Sequence, residues 1–133
     1  MEKVSQLVAR IFLGHIFLLA GLSKIGAYEA TQGYMDAMGV PGALLPLVIL
    51  LEIAGGLAII VGWKTKWASL ALAGFSVVAA VIFHHNFADQ MQMILFMKNI
   101  AIAGGFLLLA AHGAGAYSID NRKSNISASV SHA

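Results

Sequence analysis

The hydrophobic pattern divides the chain into four long apolar segments that are separated by polar links. The segments are about residues 7–25, 43–63, 67–83 and 94–112. Each segment has enough residues to cross a hydrocarbon core of ~30 Å as a helix, the third only just. The link between the second and third segments, residues 64–66, is so short that these helices must be antiparallel neighbours. The pattern predicts an all-α fold: a transmembrane bundle of four spans within one membrane domain, residues 1–120.

The link between the first two spans has a helical pattern of its own. Residues 28–38 can form about three turns, with Glu29 near the start, where the helix dipole favours an anion. Gly39 then offers a C-terminal stop. We expect a short helix that lies at the outer membrane interface. Residues 121–133 are polar and rich in serine, and we expect them to form a disordered cytoplasmic tail.

Composition excludes several classes of protein. Only 11% of the 133 residues are charged and 59% are hydrophobic, whereas soluble domains have about 25% charged residues. The basic residues are scattered, so the chain lacks the basic stripe of a nucleic-acid-binding protein. The four apolar segments indicate instead that its partner is the lipid bilayer. The absence of cysteine removes thiolate nucleophiles, iron–sulfur clusters and thiolate metal sites.

The basic residues near the span ends predict the orientation. On the side of the two termini lie Lys3, Arg10, Lys64, Lys66, Arg122 and Lys123. The opposite side holds only Lys24 and Lys98. Because cytoplasmic loops carry an excess of Lys and Arg, both termini of this multi-pass protein are predicted to be cytoplasmic.

The first span carries one polar stripe. At 3.6 residues per turn, its members fall within about 80° of one another; they are Arg10, Gly14, Phe17, Gly21 and Lys24. Charged residues in spans face the protein interior, and small residues allow helix backbones to approach. The stripe is therefore predicted to face the bundle, either as part of a binding site or as a glycine packing seam with snorkelling end charges.

Glu52 lies in the middle of the apolar second span. A carboxylate at bilayer depth is costly, so such a residue is a functional-site hypothesis by default. At ~1.5 Å per residue, depth along the spans selects Lys98 as the first choice for its counter-charge, extended by the neighbouring Asn99. Arg10 and Lys24 are the next candidates.

Two adjacent histidines, His84 and His85, end the third span. Adjacent side chains on a helix point about 100° apart, and a zinc site needs further ligands at set spacings, so no metal site is expected. Either the pair is an interfacial polar cap, or one of the two histidines is a proton donor or acceptor beside Lys98. The candidates for catalysis are Glu52, Lys98 and His84. The candidates for ligand binding are Arg10, Lys24, Glu52, His84, His85, Lys98 and Asn99.

Six strings together carry a resemblance to a known family. They are RIFLGHIFLLAGLSKI (residues 10–25), GVP (39–41), LLEIAGGLAIIVGW (50–63), FHHNF (83–87), MKNIAIAGGFLLL (97–109) and GAGAYSID (113–120). In this order the chain resembles the DoxX family of bacterial inner-membrane proteins, which is related to the DoxD-like subunits of thiosulfate:quinone oxidoreductase. The resemblance implies four spans, a link to redox or quinone chemistry, and a polar core of Arg10, Lys24, Glu52, Lys98 and Asn99. Because this chain has no cysteine, it does not have the residue that thiol-based redox chemistry would need.

Three functions remain open at this point. The first is a quinone- or small-molecule-binding subunit, with a cavity in the outer half of the bundle that has apolar walls and one polar end. Since the chain has no recognisable built-in redox cofactor site, oxidoreductase activity would need a redox partner subunit. The second is a non-enzymatic, homo-oligomeric assembly module held by structural ion pairs. The third is a small proton-coupled transporter that uses Glu52.

Overall fold

The computed structural model describes residues 2–122, and this part of the chain is helical without any β-strand. The helices are α1 (Glu2–Gly26), α2 (Tyr28–Ala37), α3 (Leu45–Val61), α4 (Thr65–Phe83) and α5 (Gln90–His112). Four segments are long and apolar enough to cross a membrane: α1, α4, α5, and α3 together with the 3-10 turn Gly42–Leu44 that precedes it. The prediction of a four-span helical bundle with a short helix in the first long link is confirmed. Residues 123–133, most of the predicted tail, lie outside the described residues.

Two helices begin earlier than the apolar pattern indicates, since polar residues form their first turns. Helix α1 already begins at Glu2, and α5 begins at Gln90. The carboxylate of Asp89 accepts a hydrogen bond from the backbone N–H of Met91 at 2.9 Å, which satisfies one of the free donors at the start of α5. Hydrophobicity marks the part of a helix that crosses the bilayer, and capping decides where the helix begins.

The bundle consists of two helix pairs, α1 with α3 and α4 with α5, which are joined mainly through α3 and α4. Glycines set the close approach in the first pair. A Cβ atom on Gly14 would lie 2.7 Å from the carbonyl oxygen of Gly56, and a Cβ on Gly56 would lie 2.8 Å from that of Gly14. The predicted stripe on α1 does face the bundle, because its buried residues are Arg10, Gly14, Phe17 and Gly21.

An apolar core separates the two ends of the bundle. The ring of Phe17 packs edge-on against Phe106 at a centroid distance of 5.5 Å, and Ile59 and Leu72 are fully buried beside them. We call the end that holds α2 and the α4–α5 link the Lys24 end, and the end that holds the α3–α4 turn the Arg10 end. Each end contains buried charge, and the core keeps the two sets apart.

Candidate functional site

The one ion pair within residues 2–122 joins Lys24 of α1 to Glu52 of α3, with 2.9 Å between Nζ and Oε1. Gly21 allows α3 to approach α1 at this level, since a Cβ there would lie 3.3 Å from the Cβ of Glu52. Helical side chains lean toward the N-terminus of their helix, so Lys24 reaches back toward the middle of the bundle. The side chain of Glu52 is only 3% exposed, whereas that of Lys24 is 30% exposed.

The prediction that Lys98 is the main partner of Glu52 is wrong. On α5 the inward face contains Asn99, Ile102, Ala103 and Phe106, which are partly or fully buried and follow a helical repeat. Lys98 lies about 100° away from Asn99 on this helix and is exposed. Depth counting placed Lys98 at a suitable height, but rotation about the helix axis turns its side chain away from Glu52.

The ion pair forms part of the wall of a cavity of about 550 Å³ at the Lys24 end, between the two helix pairs. The walls are mostly aliphatic and aromatic, with Phe17 and Phe75 among them. The polar side chains that line the cavity are Lys24, Thr31, Tyr34, Glu52, Ser76, His84 and Asn99. The volume falls in the range of small-molecule sites, as does the combination of apolar walls with a few polar groups.

Helix α2 covers the cavity at the Lys24 end. Met35 is buried and lines the cavity, and the ring of Tyr34 stacks on Phe83 of α4 at a centroid distance of 5.4 Å. The helix is held to the start of the second span because Asp36 accepts a hydrogen bond of 2.7 Å from the backbone N–H of Gly42. Gln32 donates to the carbonyl oxygen of the same glycine. This helix therefore closes the cavity over the ends of α1 and α3.

The rim of the cavity reaches the outer surface of the bundle. Ile16 of α1 and Val78 of α4 line the cavity and are also 45% and 55% exposed. Both lie within apolar helices that are long enough to span a membrane. An apolar rim at this position opens toward lipid acyl chains rather than toward water.

At the opposite end, Arg10 is fully buried and contributes to a different structure. Its guanidinium donates hydrogen bonds to the carbonyl oxygens of Ile60 (3.0 Å), Ile59 (3.4 Å) and Tyr117. The first two carbonyls belong to the last turn of α3, which lacks helical donors. Arg10 thus joins α1, the end of α3 and the segment after α5.

Asp120 completes this polar network. Its carboxylate accepts hydrogen bonds from the backbone N–H groups of Lys64 (2.6 Å) and Thr65 (2.8 Å) at the start of α4. Burial alone would raise the pKa of Asp120, but hydrogen bonds from Thr65 and Lys64 and the nearby charge of Arg10 outweigh it, so this pKa lies below its ordinary value. The backbone N–H of Asp120 also donates a hydrogen bond of 2.8 Å to the carbonyl oxygen of Gly62.

The structure brings four of the seven predicted ligand-binding residues together around the cavity: Lys24, Glu52, His84 and Asn99. The other three lie elsewhere in the described chain. Arg10 is about 21 Å along α1 from Lys24, and Lys98 is exposed on α5. His85 is also exposed, and its Nδ1 lies 2.9 Å from the carbonyl oxygen of Ile82.

Sequence reasoning missed several polar residues of these networks, among them Thr31 and Tyr34 at the cavity. Ser76 lines the cavity, and Asp120 caps α4 from the far end of the chain. A signal for Ser76 was present, because Thr65, Ser69 and Ser76 share one face of α4 and all three are buried. No local pattern indicates that Asp120 meets a turn more than fifty residues earlier in the chain.

The cavity thus combines a cation, a carboxylate, an imidazole, an amide and a hydroxyl with apolar walls. These groups can bind ligand oxygens and exchange protons. Among the described residues, no three His, Asp or Glu side chains come together as a metal-binding group would require.

Comparison with known proteins gives concordant results. The DoxX family model matches residues 5–85. The chain is 56% identical to inner membrane protein YqjF of Escherichia coli K12, over 90% of this chain and 92% of that protein. It is 36% identical to inner membrane protein YphA of the same organism, over 91% of each. A more distant relative, at 26% identity over 80% of this chain and 84% of its own, is "putative oxidoreductase CatD" of Bacillus subtilis 168.

No solved structure matches the chain. The family match covers more than half of the chain, and the two E. coli relatives are covered almost completely. Together with the four apolar helices, these matches show that the chain is an integral inner-membrane protein that belongs to the DoxX family.

Proposed function

We propose that the cavity at the Lys24 end binds the ring of a lipid-soluble quinone, and that the protein is a quinone-binding subunit of a redox process. One observation carries this proposal: the Lys24–Glu52 ion pair lies on the wall of a cavity of about 550 Å³ whose other walls are mainly apolar. A purely structural ion pair would serve equally well without such a space. Apolar walls hold a ring, and a few polar groups orient its oxygens.

The rim supports a ligand that enters from the membrane. Ile16 and Val78 are exposed and line the cavity, so an apolar chain attached to the ring can leave the cavity beside these side chains and enter lipid. A hydrophilic metabolite would gain nothing from such a rim. Quinones combine a small oxygen-bearing ring with an apolar chain, and the geometry suits this combination.

The polar groups support a redox role for the ligand. Reduction of a quinone to a hydroquinone takes up two electrons and two protons, and negative charge develops on a ring oxygen. Lys24 is the cation that would stabilise this charge, while Glu52 and His84 are the groups that would exchange protons. In this proposal the electrons come from a redox partner subunit, and among the described residues no three His, Asp or Glu side chains come together to hold a redox metal. The name of the B. subtilis relative, a putative oxidoreductase, agrees with this role.

The test is binding of 1,4-naphthoquinone to the protein in lipid nanodiscs, measured by equilibrium dialysis. The double variant Lys24→Met/Glu52→Gln removes both charges without leaving one of them unpaired. Because a hydrogen bond from a charged donor contributes about 1.5–3 kcal/mol, we expect the double variant to bind at least about tenfold more weakly. Lys98→Met is the matched control, since it removes an exposed lysine of the neighbouring α5, and it should bind as the wild type does.

Equal binding by wild type and double variant would contradict the proposal, and so would an equal loss in the Lys98→Met control. If the wild type binds no naphthoquinone and its oligomer depends on the ion pair, the protein is an assembly module. Thermal unfolding of each variant in the same nanodiscs shows whether a loss of binding merely reflects a loss of fold.

We further propose that the Lys24 end faces the periplasm and that both termini are cytoplasmic. The support is the distribution of basic residues, six near one set of span ends and two near the other. Reporter fusions after Asp36 and after Arg122 should report opposite sides of the membrane, with the second fusion in the cytoplasm. Two fusions on the same side would contradict the four-span topology, and an exchanged pair would invert the proposed orientation.

A further inference from the structure

Ser76 of α4 has a buried hydroxyl that the fold leaves unused. The residue is 2% exposed and lines the cavity, and its Oγ has no hydrogen-bond partner within residues 2–122. A serine inside a helix can bond to the carbonyl one turn earlier, but this one does not. Since buried polar groups are normally hydrogen-bonded, a hydroxyl without a partner on a cavity wall is available to bind a ligand.

Ser76 lies at the same depth as Glu52 but belongs to the other helix pair. Helices α3 and α4 run antiparallel from one short turn; Glu52 lies ten residues before Gly62, and Ser76 lies eleven residues after Thr65. At 1.5 Å per residue, both are about 15 Å from that turn and therefore at the same depth. Glu52 belongs to the α1–α3 pair and Ser76 to the α4–α5 pair, and the cavity lies between the pairs.

Asn99 adds a second polar group to the wall of Ser76. It lies on α5, lines the cavity and is only partly buried. The cavity therefore has a charged pole on one helix pair and a neutral hydrogen-bonding pole on the other. Phe17 and Phe75 line the space as well, and their rings meet edge-on at a centroid distance of 6.3 Å. A flat ring that carries oxygens on two opposite sides matches this arrangement.

We propose that Ser76 binds a second oxygen of the ligand, opposite the oxygen that Lys24 meets, so that the site selects rings with two oxygens in a 1,4 relation. This inference rests on the proposed function and deepens it. A hydroxyl donates to the carbonyl oxygen of an oxidised ring and accepts from the hydroxyl of a reduced ring. Ser76 can therefore hold the far side of the ring in both redox states, while Lys24 meets the oxygen on which charge develops.

The chain offers a matched control for Ser76. Ser69 lies on the same helix, is fully buried and also has no hydrogen-bond partner for its hydroxyl in the described chain, but it is not among the residues that line the cavity. Ser69→Ala and Ser76→Ala thus make the same chemical change in similar surroundings. Only the second changes the surface that a ligand would touch.

The experiment compares two ligands in nanodiscs by equilibrium dialysis: 1,4-naphthoquinone, which has two opposed carbonyls, and 1-tetralone, which has one. A single oxygen should pair with the charged donor Lys24, because charge-assisted hydrogen bonds are the stronger ones. We expect Ser76→Ala to weaken naphthoquinone binding about threefold to tenfold and to leave tetralone binding unchanged. Ser69→Ala should change neither, and Ser76→Thr, which keeps the hydroxyl, should retain most of the naphthoquinone affinity.

Three results would overturn the inference while the proposed function stands: naphthoquinone binding unchanged in Ser76→Ala, an equal loss for both ligands, or an equal loss in Ser69→Ala. The last two would mean that the serines act on helix packing. If the wild type fails to bind naphthoquinone, the proposed function and this inference fall together. If naphthoquinone binding depends on Lys24 but not on Ser76, the site binds only one oxygen of the ring.

Discussion

The two ends of the bundle use buried charge in different ways. At the Arg10 end, the guanidinium is fully buried and donates to three backbone carbonyls. At the Lys24 end, the ammonium meets a carboxylate, and both line a cavity. The guanidinium of Arg10 joins segments of the chain, whereas the Lys24–Glu52 pair lies on a surface that a ligand can reach.

In this small membrane protein, the groups that a buried charge contacts therefore indicate whether its role is structural or functional. Backbone carbonyls at a helix end need a donor in any case, so Arg10 satisfies a requirement of the fold. Glu52 satisfies no such requirement, and replacing a buried ion pair with apolar residues is often neutral or stabilising. The presence of the pair on a cavity wall agrees with a binding role.

The largest expected effect concerns the Arg10 end. Arg10→Met removes the donor of three carbonyls, two of them at the end of α3. Hydrogen bonds to a charged group contribute about 1.5–3 kcal/mol each, but single substitutions rarely cost more than about 4–5 kcal/mol in all, so we expect the free energy of unfolding to fall by roughly 3–5 kcal/mol. Thermal unfolding in detergent, followed by circular dichroism, measures the loss.

Arg10→Lys provides the control for charge alone. A lysine keeps the positive charge but lacks the planar fork that reaches several acceptors at once, so its stability should lie between those of Arg10→Met and the wild type. Naphthoquinone binding by the folded fraction should not change, since Arg10 lies about 21 Å along α1 from Lys24. An Arg10→Met variant as stable as the wild type would remove the distinction between the two ends.

A smaller effect with a defined asymmetry is expected at the Lys24 end. Lys24→Met leaves a carboxylate that is 3% exposed without a partner, whereas Glu52→Gln leaves a lysine that is 30% exposed and can turn toward the membrane surface. Lys24→Met should therefore be the more destabilising change, by about 2 kcal/mol against about 1 kcal/mol, after allowance for the partial exposure of Lys24. The same unfolding measurement compares them.

The double variant sharpens this test. Adding Glu52→Gln to Lys24→Met should recover part of the lost stability, because no unpaired carboxylate remains. Adding Glu52→Gln to Lys98→Met should give losses that simply add, since Lys98 is exposed and Glu52 pairs with Lys24. Additive losses for Lys24 and Glu52 would show that their contact contributes nothing to stability.

Periodicity explains what the sequence could predict. The four spans, the short helix of the first link and the inward stripe from Arg10 to Lys24 all follow from repeats of 3.6 residues, and the structure contains each of them. The prediction of a cavity beside Lys24, Glu52, His84, Lys98 and Asn99 rested on the same arithmetic, and all of these residues except Lys98 line the cavity. The angular position of a residue around a helix and its depth along the helix follow from its residue number, so both can be predicted from the sequence.

The partner of Glu52 could not be obtained in this way. Lys98 and Lys24 have similar depths, and the choice depends on how each helix is rotated against its neighbours. Gly21 allows close contact between α1 and α3 and brings Lys24 to Glu52, while the inward face of α5 turns Lys98 outward. The link between Asp120 and the start of α4 is likewise a product of tertiary packing.

The smallest expected effect depends on pH and belongs to the Arg10 end. The pKa of Asp120 is lowered in the folded protein, so its carboxylate contributes stability that is present above the unfolded-state pKa and is lost as the pH falls through the folded-state value. Asp120→Asn keeps one oxygen acceptor for the first N–H groups of α4 but loses the charge. We expect a cost of about 1 kcal/mol at neutral pH, the usual size of a helix cap.

The difference in melting temperature between wild type and Asp120→Asn should shrink from pH 7 toward pH 3, and naphthoquinone binding at pH 7 should be equal in both. A difference that stays constant across this range would show that the carboxylate acts through its shape alone, and a loss of binding would show that the two ends are coupled through the core.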